Sequence, residues 1–389
     1  MTKKKFLQRA LALLMGCSMS LPLFACGGKD ADTDDVFIHE SERITVTQFD
    51  APVSLVDYRV TQYLSADPSI KVTEFLPSGN ERLDKGSPVS IEYAFENPDR
   101  LEVLSVDVEV SEMEDFLSII QTKSITGGQT AADFYNLKTG QQYYFRVNVA
   151  LENGKIHTKT GSFETAANTP RFINLDGASN VRDIGGWKTE DGKTIKQGLL
   201  YRGGEIDGGK NKGHPDFCLT EKGIEQLLSF GIETDFDLRS EENKASEYSI
   251  LGSGVHREFY NAEHYQSVFN ASYKPFLRKQ FSDLANPDAY PVYLHCTHGV
   301  DRAGTMSLLI EALLGLSKDN LVRDYELSAF YYNYKHVNRE TQNGGNVLDL
   351  IEGLEKYEGE TLKDKCAAFL LSVGVTQDEI DSIRSIFLD

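Results

Sequence analysis

Basic residues are scarce in this sequence. Its 389 residues include 40 Lys and Arg against 59 Asp and Glu, which gives a formal net charge of −19. Proteins that bind nucleic acids usually carry a basic excess, and anionic lipid surfaces also attract basic proteins. The composition therefore disfavours a nucleic-acid partner and a general affinity for membranes. An anionic substrate would need a local electropositive pocket within an acidic body.

Cysteine is also rare, with five residues in the whole chain. Cys17 and Cys26 belong to the N-terminal segment, so that Cys218, Cys296 and Cys366 remain for the folded part. Three scattered thiols do not make a disulfide framework, and no Cys/His spacing resembles a structural zinc site. We therefore expect no metal and no cofactor, and we ask whether one of the thiols is reactive.

Near the N-terminus, the apolar run at 11–24 is too short and interrupted to span a membrane comfortably. Basic residues at 3–5 and 9 precede it, as in a secretory signal. The segment ends in Leu-Phe-Ala-Cys26-Gly, which resembles a bacterial lipobox; an ordinary signal peptide cleaved nearby is the alternative. We predict a signal peptide at 1–25, lipidation of Cys26, and a flexible acidic tether at 26–42. The protein would then lie on the extracytoplasmic face of the cell membrane, held by its lipid alone.

Residues 43–167 show period-2 strands separated by turn signals, a pattern typical of an all-β sandwich. The candidate strands are Ile44–Phe49, Ile70–Phe75, Val89–Phe95, Leu104–Val110, Leu117–Thr122, Tyr143–Leu151 and Ile156–Phe163. The stretch Leu137–Val147, LKTGQQYYFRV, resembles the late strands of fibronectin type III domains. We expect this domain to be a spacer or a docking module for a protein or glycan partner, because it contains no catalytic cluster.

Residues 168–389 alternate between strands and helices, which indicates an α/β domain. The candidate strands are Ile232–Asp237, Val255–Phe259 and Val292–His295, and the candidate helices are Thr220–Phe230, Tyr273–Leu284, Arg302–Leu314, Asp319–Tyr334, Val347–Lys356, Thr361–Val373 and Gln377–Phe387. Thr376 and Glu379 form a capping-box pattern for the last helix.

One strand-to-helix junction has the residue pattern of an anion-binding loop with a reactive cysteine. In the stretch 292–305, VYLHCTHGVDRAGT, a buried strand ends at Cys296, five residues follow, and Arg302 opens a helix. Loop N–H groups and a helix N-terminus can form an anion-binding nest, and an arginine can clamp two phosphoryl oxygens. The same field favours the thiolate of Cys296, which can attack a bound phosphoryl group. The alternative is a structural thiol at Cys296 and a surface helix residue at Arg302.

The pattern His-Cys-x5-Arg resembles the signature of the cysteine-dependent protein tyrosine phosphatases. Further stretches resemble the bacterial, secreted-type members with a DRTG loop. They are FINLDGASNVRDIGGW at 172–187, GLLYRGG at 198–204, DFDLRSEE at 235–242 and DYELS at 324–328. The resemblance covers roughly residues 170–389, and it implies that the α/β domain is a cysteine-phosphatase domain.

The resemblance implies a two-step mechanism through a phosphocysteine on Cys296, with no metal. It assigns phosphate binding to the loop residues Thr297, His298, Gly299, Val300, Asp301 and Arg302. His295 is expected to hydrogen-bond near Cys296 and tune its ionisation, or only to pack at the strand end, and Asp183 is expected to support the site. The general acid stays open between Asp301, Asp237 and another residue; Asp237 could instead form a salt bridge with Arg239 or Arg182, or cap a loop.

Two departures from the family pattern bear on function. Relatives often carry Gly-Lys-Asp-Arg-Thr-Gly, whereas this chain has Gly-Val-Asp-Arg-Ala-Gly. Val300 lacks a cation that would favour phosphoinositides. Ala303 lacks a hydroxyl that usually stabilises the departing thiolate, which predicts slow breakdown of the phosphoenzyme unless His298 donates in its place.

Three functions are therefore compared. The leading one is a lipid-anchored phosphatase of phosphotyrosine in proteins or peptides, with dual specificity as a variant. The second is a phosphoinositide or inositol-phosphate phosphatase. The third is a non-catalytic surface lipoprotein that binds a phospholigand.

Overall fold

The computed structural model describes residues 41–167, 170–243, 245–343 and 345–388. The predicted signal peptide, Cys26 and nearly all of the predicted tether lie outside the described residues. Among the described residues, no helix combines the length and the apolar character needed to cross a bilayer. Strands and helices are numbered below in chain order over the described residues.

The N-terminal β-rich part contains two antiparallel sheets. Its strands are β1 (Ile44–Val46), β2 (Val89–Phe95), β3 (Val103–Ser111), β4 (Ile119–Ser124), β5 (Ala131–Phe134), β6 (Gln142–Leu151) and β7 (Ile156–Glu164). One sheet has the order β1-β2-β5 and the other β4-β3-β6-β7. Alternate side chains of β6, including Phe145 and Val147, pack in one core with Val89 and Phe134 of the other sheet. The period-2 pattern therefore buries one face of each sheet.

Most strands predicted in this part are confirmed with shifted ends, and Val89–Phe95 is confirmed as written. The predicted strand Ile70–Phe75 is wrong, because Val72–Phe75 forms a 3₁₀ helix. Val72 and Phe75 are three positions apart, a spacing that puts both side chains on one side of a 3₁₀ turn. The short strand β5 and the helix α1 (Tyr58–Ser65), capped by the Asp57 carboxylate, were not predicted.

Residues 56–83, which lie between β1 and β2, pack away from the β-rich core. Val60, Tyr63 and Val72 are buried among the helices of the C-terminal part. The Tyr63 hydroxyl donates to Glu326 Oε2 at 2.5 Å, and the N–H of Leu83 donates to the carbonyl of Phe330 at 3.1 Å. The range 43–167 assigned to a sandwich therefore includes a segment that belongs to the second core.

The C-terminal part is built on a mixed sheet of six strands in the order β12-β11-β13-β10-β9-β8. The strands are β8 (Arg171–Phe172), β9 (Arg182–Asp183), β10 (Leu200–Gly203), β11 (Thr234–Asp237), β12 (His256–Phe259) and β13 (Val292–His295). The four strands β10 to β13 run parallel, and β9 and β8 are antiparallel at one edge. Gly203, Asp237 and His295 are in register, so the carboxyl ends of three strands meet where α/β proteins commonly form their sites.

The helices of this part are α2 (Glu221–Leu228), α3 (Lys274–Leu284), α4 (Asp301–Leu314), α5 (Lys318–Glu326), α6 (Val347–Glu355), α7 (Leu362–Ser372) and α8 (Gln377–Leu388). Residues 303–314 of α4 are all buried, because this almost entirely apolar helix runs through the core. It ends at Gly315, which has φ +96°. The predicted helix Asp319–Tyr334 is too long, since α5 ends at Glu326 and continues as two 3₁₀ turns. The capping box of Thr376 and Glu379 is confirmed.

Candidate active site

The candidate site is the loop that joins β13 to α4, residues 296–300. Gly299 has φ +72°, a backbone conformation that glycine adopts at low cost. A Cβ atom at this position would lie 2.4 Å from the carbonyl carbon of Gly203. The loop therefore needs glycine both for its turn and for its close approach to the end of β10.

Three consecutive carbonyl groups of this loop point away from its centre. The carbonyl of Thr297 accepts from the N–H of Glu205 at 3.1 Å, and that of His298 accepts from Asn180 Nδ2 at 3.2 Å. The carbonyl of Gly299 accepts from Arg202 Nη2 at 2.9 Å.

The direction of these carbonyls determines where the amides point. In a planar trans peptide the next N–H is directed opposite to the carbonyl, so the N–H groups of 298, 299 and 300 face inward. The N–H of Gly299 indeed donates to Cys296 Sγ at 3.3 Å. The loop thus presents a concave ring of donors to the sulfur, as an anion-binding nest requires.

A buried charge cluster holds the outer side of the loop. Asp324 pairs with Arg182 at 3.0 Å and with Arg202 at 2.6 Å, and all three side chains are at most 1% exposed. Arg182 also donates to Asn180 Oδ1 at 2.8 Å, so both side chains that bond the loop carbonyls are fixed by the same cluster. Burial and the neighbouring Arg182 lower the pKa of Arg202 to about 10, which leaves it cationic near neutral pH.

Asp324, Arg182 and Arg202 stand in the stretches that carry the family resemblance, but the sequence predicted no role for Asp324 or Arg202, and for Arg182 only the alternative of a salt bridge to Asp237. The structure pairs Arg182 with Asp324 instead. A signal was available in the sequence, because charged residues within otherwise apolar segments are buried and must form ion pairs or hydrogen bonds. Their partners are up to 142 positions apart in the chain, so the pairing could not be read from local spacing.

Arg302 is folded over the loop. Its Nη2 donates to Thr297 Oγ1 at 3.1 Å and its Nη1 donates to the carbonyl of Leu238 at 3.3 Å. These contacts disagree with the alternative of a surface helix residue. They hold the half-buried guanidinium against the loop, where its planar fork can bind two oxygens of an anion.

Cys296 and Cys366 are both buried, but their surroundings differ. Cys296 is 2% exposed and lies in the ring of loop amides. Cys366 donates to the carbonyl of Leu309 at 3.3 Å, and burial raises its pKa to about 12, so it stays a thiol. The environment of Cys296 offers donors to a thiolate, whereas that of Cys366 offers an acceptor to a thiol.

Asp301 lies in the first turn of α4, next to Arg302, and is half-buried. The Tyr265 hydroxyl donates to Asp301 Oδ1 at 2.5 Å and is itself 2.7 Å from the Tyr325 hydroxyl. Burial, with Asp301 as the next cause, raises the pKa of Tyr265, so this phenol remains a donor. Asp301 is therefore held in a defined orientation while it still faces a cavity.

Asp237 has a different environment. It is fully buried, accepts from Arg239 Nε at 2.9 Å and Nη2 at 2.7 Å, and also pairs with Arg257. Burial opposes its charge, but His295 and Arg239 outweigh burial and lower the pKa of Asp237. An ionised carboxylate held by two arginines is poorly suited to deliver a proton, whereas Asp301 faces the cavity.

Within the described part of the chain, the side chains of His295 and Asp183 form their hydrogen bonds and ion pairs with residues outside the loop 296–300. His295 Nε2 is 2.8 Å from Asp235 Oδ1, and its Nδ1 is 4.0 Å from Asp237 Oδ1. Burial lowers the pKa of His295, but Asp237 and Asp235 reverse this and raise it overall. Asp183 pairs with Arg171 at 3.1 Å and accepts two backbone N–H groups in turns beside β9. Both residues support the scaffold around the loop.

A cavity of about 340 Å³ opens beside the loop. It is lined by His298, Val300, Asp301, Tyr325, Tyr334, His336, Val337, Thr341, Gln342 and Asn343. The His298 ring lies 5.6 Å from the Phe217 ring and 5.4 Å from the Tyr334 ring, measured between centroids. Burial lowers the pKa of His298, which favours its neutral form. Among the described residues, the cavity lining thus combines two tyrosines, two histidines, two valines and three amide or hydroxyl side chains with the single carboxyl group of Asp301.

The fold is α/β, and its loop after β13 directs backbone amides toward a cysteine. Comparison with known proteins is more specific, because residues 173–389 match the family model described as "Tyrosine phosphatase family", and the chain belongs to that family. A Cupriavidus necator protein named "Putative tyrosine-protein phosphatase" is 25% identical over 175 residues. The alignment covers 39% of this chain and 60% of that relative, which is less than two thirds of the relative's length.

Proposed function

We propose that the protein is a phosphoprotein phosphatase that hydrolyses phosphotyrosine through a cysteinyl-phosphate intermediate. The observation that carries the proposal is the set of three loop carbonyls bonded outward, which turns the amides of 298–300 toward Cys296. Membership of the tyrosine phosphatase family supports the same activity. The name of the Cupriavidus necator relative agrees with it.

In the first step, Cys296 Sγ attacks phosphorus, so that an S–P bond forms while the P–O bond to the tyrosine oxygen breaks. Asp301 gives its proton to that oxygen, and Arg302 and the loop amides stabilise the charge on the phosphoryl oxygens. In the second step, water attacks phosphorus and gives a proton to Asp301. The S–P bond then breaks, which releases inorganic phosphate and restores the Cys296 thiolate.

The cavity beside Asp301 supports an aryl substrate. Its walls include Tyr325, Tyr334 and Val337, and no Lys or Arg is among the described residues that line it. A phosphoinositide carries further phosphate groups, which would need cations that this lining does not supply. Val300 replaces a lysine of many relatives, and the loss of this cation also disfavours a phosphoinositide substrate.

We also propose that the chain is a lipoprotein. Lipidation at Cys26 would anchor it outside the cytoplasmic membrane, and the β-rich part, with its fibronectin type III-like stretch, would act as a spacer or docking module. The lipobox-like sequence supports the anchor, and the two sheets around one core support a sandwich. The predicted lipidation is tested by mass spectrometry of the mature N-terminus of the protein isolated from its native host. We expect a lipidated Cys26, and an unmodified N-terminus or one produced by cleavage at another position would contradict lipidation.

The central experiment compares the wild type, Cys296→Ser and Cys218→Ser on an aryl phosphate under reducing conditions. We expect Cys296→Ser to lose turnover, because a neutral hydroxyl replaces the thiolate, and Cys218→Ser to keep it. Acid-quenched wild type should carry phosphate on Cys296. Full activity of Cys296→Ser would refute the mechanism.

A substrate panel separates the competing functions. Phosphotyrosine peptides should be hydrolysed faster than phosphoserine peptides and phosphoinositides. A preference for phosphoinositides would support the lipid phosphatase. Tight binding of phosphopeptide by reduced wild type without turnover would support a binding module.

A further inference from the structure

Tyr334 carries a buried hydroxyl that lacks a hydrogen-bond partner. The residue is 8% exposed, and its Oη has no donor or acceptor within reach among the described residues. Folded proteins rarely leave a buried polar group unpaired, because the group loses its bonds to water without replacement. Such a hydroxyl next to a substrate cavity suggests a partner that arrives with a ligand.

The position of Tyr334 points to the phosphoryl group as that partner. Its ring lines the same cavity as Val300 and Asp301 and lies 5.4 Å from the His298 ring. Burial chiefly raises the pKa of Tyr334, and the fields of Tyr331 and Cys296 raise it further. The phenol therefore stays protonated and remains a donor.

We propose that the Tyr334 hydroxyl donates a hydrogen bond to a phosphoryl oxygen of the bound substrate and of the phosphocysteine, an inference that rests on the function proposed above. Ala303 lacks the hydroxyl that many relatives have in the loop. The His298 ring packs against the rings of Phe217 and Tyr334. Tyr334 thus adds a side-chain donor from a separate segment.

The test uses Tyr334→Phe, with Tyr331→Phe as a matched control in the full chain. Both changes remove one phenol oxygen from the same aromatic cluster, whose two rings lie 4.8 Å apart. The Tyr331 hydroxyl already donates to Asp216 Oδ2 at 3.0 Å, so its loss removes a structural bond. The measurements are the Kd of inorganic phosphate by calorimetry, kcat/KM on an aryl phosphate, and Tm.

For Tyr334→Phe we expect the phosphate Kd to rise and kcat/KM to fall by about 10- to 150-fold, the range for one hydrogen bond to a charged group. Its Tm should equal or exceed that of the wild type, because an unpaired buried hydroxyl is removed. Tyr331→Phe should show the opposite pattern, with a lower Tm and a phosphate Kd within about twofold of the wild type.

An unchanged phosphate Kd in Tyr334→Phe would overturn the inference. A raised Kd accompanied by a Tm below that of Tyr331→Phe would also overturn it, because it would assign a structural role. If the wild type binds phosphate without turnover, the proposed function fails, and the calorimetric comparison of the two variants still decides the role of Tyr334.

Discussion

Gly299 allows the geometry of the loop to be tested apart from its chemistry. In Gly299→Ala the new methyl group would meet the Gly203 carbonyl carbon at 2.4 Å and its oxygen at 2.5 Å, and φ would stay at +72°. Gly128 offers a matched control, since its φ is +78° and a Cβ there has nothing within 4 Å. Both variants carry the conformational cost of an L-residue at positive φ, about 1–2 kcal/mol.

Only the change at Gly299 forces backbone atoms apart. The neighbour is the end of β10, a buried strand in the centre of the sheet, so the loop has to move instead. Movement of the 299 peptide disturbs two inward N–H groups and the carbonyl that accepts from Arg202. Loss of one preorganised donor costs roughly 100- to 1000-fold in kcat in such sites. We therefore expect kcat/KM of Gly299→Ala to fall by at least about 100-fold.

The assay combines hydrolysis of an aryl phosphate with thermal unfolding of both variants. Gly128→Ala should lose stability, about 1–2 kcal/mol, and keep the kcat/KM of the wild type. Gly299→Ala should lose activity far beyond what its change in stability explains. A kcat/KM of Gly299→Ala within about threefold of the wild type would refute this reasoning, because catalysis would then not depend on the orientation of the loop N–H groups.

Three further predictions follow from the site. Ala303→Ser should speed hydrolysis of the phosphoenzyme by about 5- to 30-fold, since a restored donor is worth about 1–2 kcal/mol; an unchanged burst amplitude in rapid-quench kinetics would contradict this. Asp301→Asn should slow aryl phosphates with poor leaving groups more than those with good ones, whereas Asp237→Asn should mainly lower Tm; a reversed pattern would assign the acid to Asp237. His295 has a raised pKa in the folded state, so its charged form stabilises the fold below the unfolded pKa, and this contribution is lost as pH rises through the folded pKa. The stability difference between wild type and His295→Asn should therefore be larger at about pH 6 than at about pH 9 in denaturant titrations, and a pH-independent difference would exclude the effect.

The sequence by itself was enough for elements whose signals are local. β2 and β13 match their predicted ranges because their apolar residues occur in short, bounded runs. Helix α4 begins one residue before its predicted start and ends at the predicted glycine, since Gly315 is a strong stop signal. The cysteine, the loop and the arginine were also readable, because the chemistry of an anion nest demands a fixed short spacing.

The tertiary structure decided which charges meet. Asp324, Arg182 and Arg202 stand far apart in the chain, and only the sheet order and the placement of α5 bring them behind the loop carbonyls. The tertiary structure also decided the environments of Asp301 and Asp237, which carry the same type of side chain. One faces a cavity beside Tyr265 and the other is enclosed by arginines, because side-chain ionisation and access depend on neighbours that arrive from other elements. Local spacing determines a loop's conformation, whereas burial and long-range pairing determine what each of its acids can do.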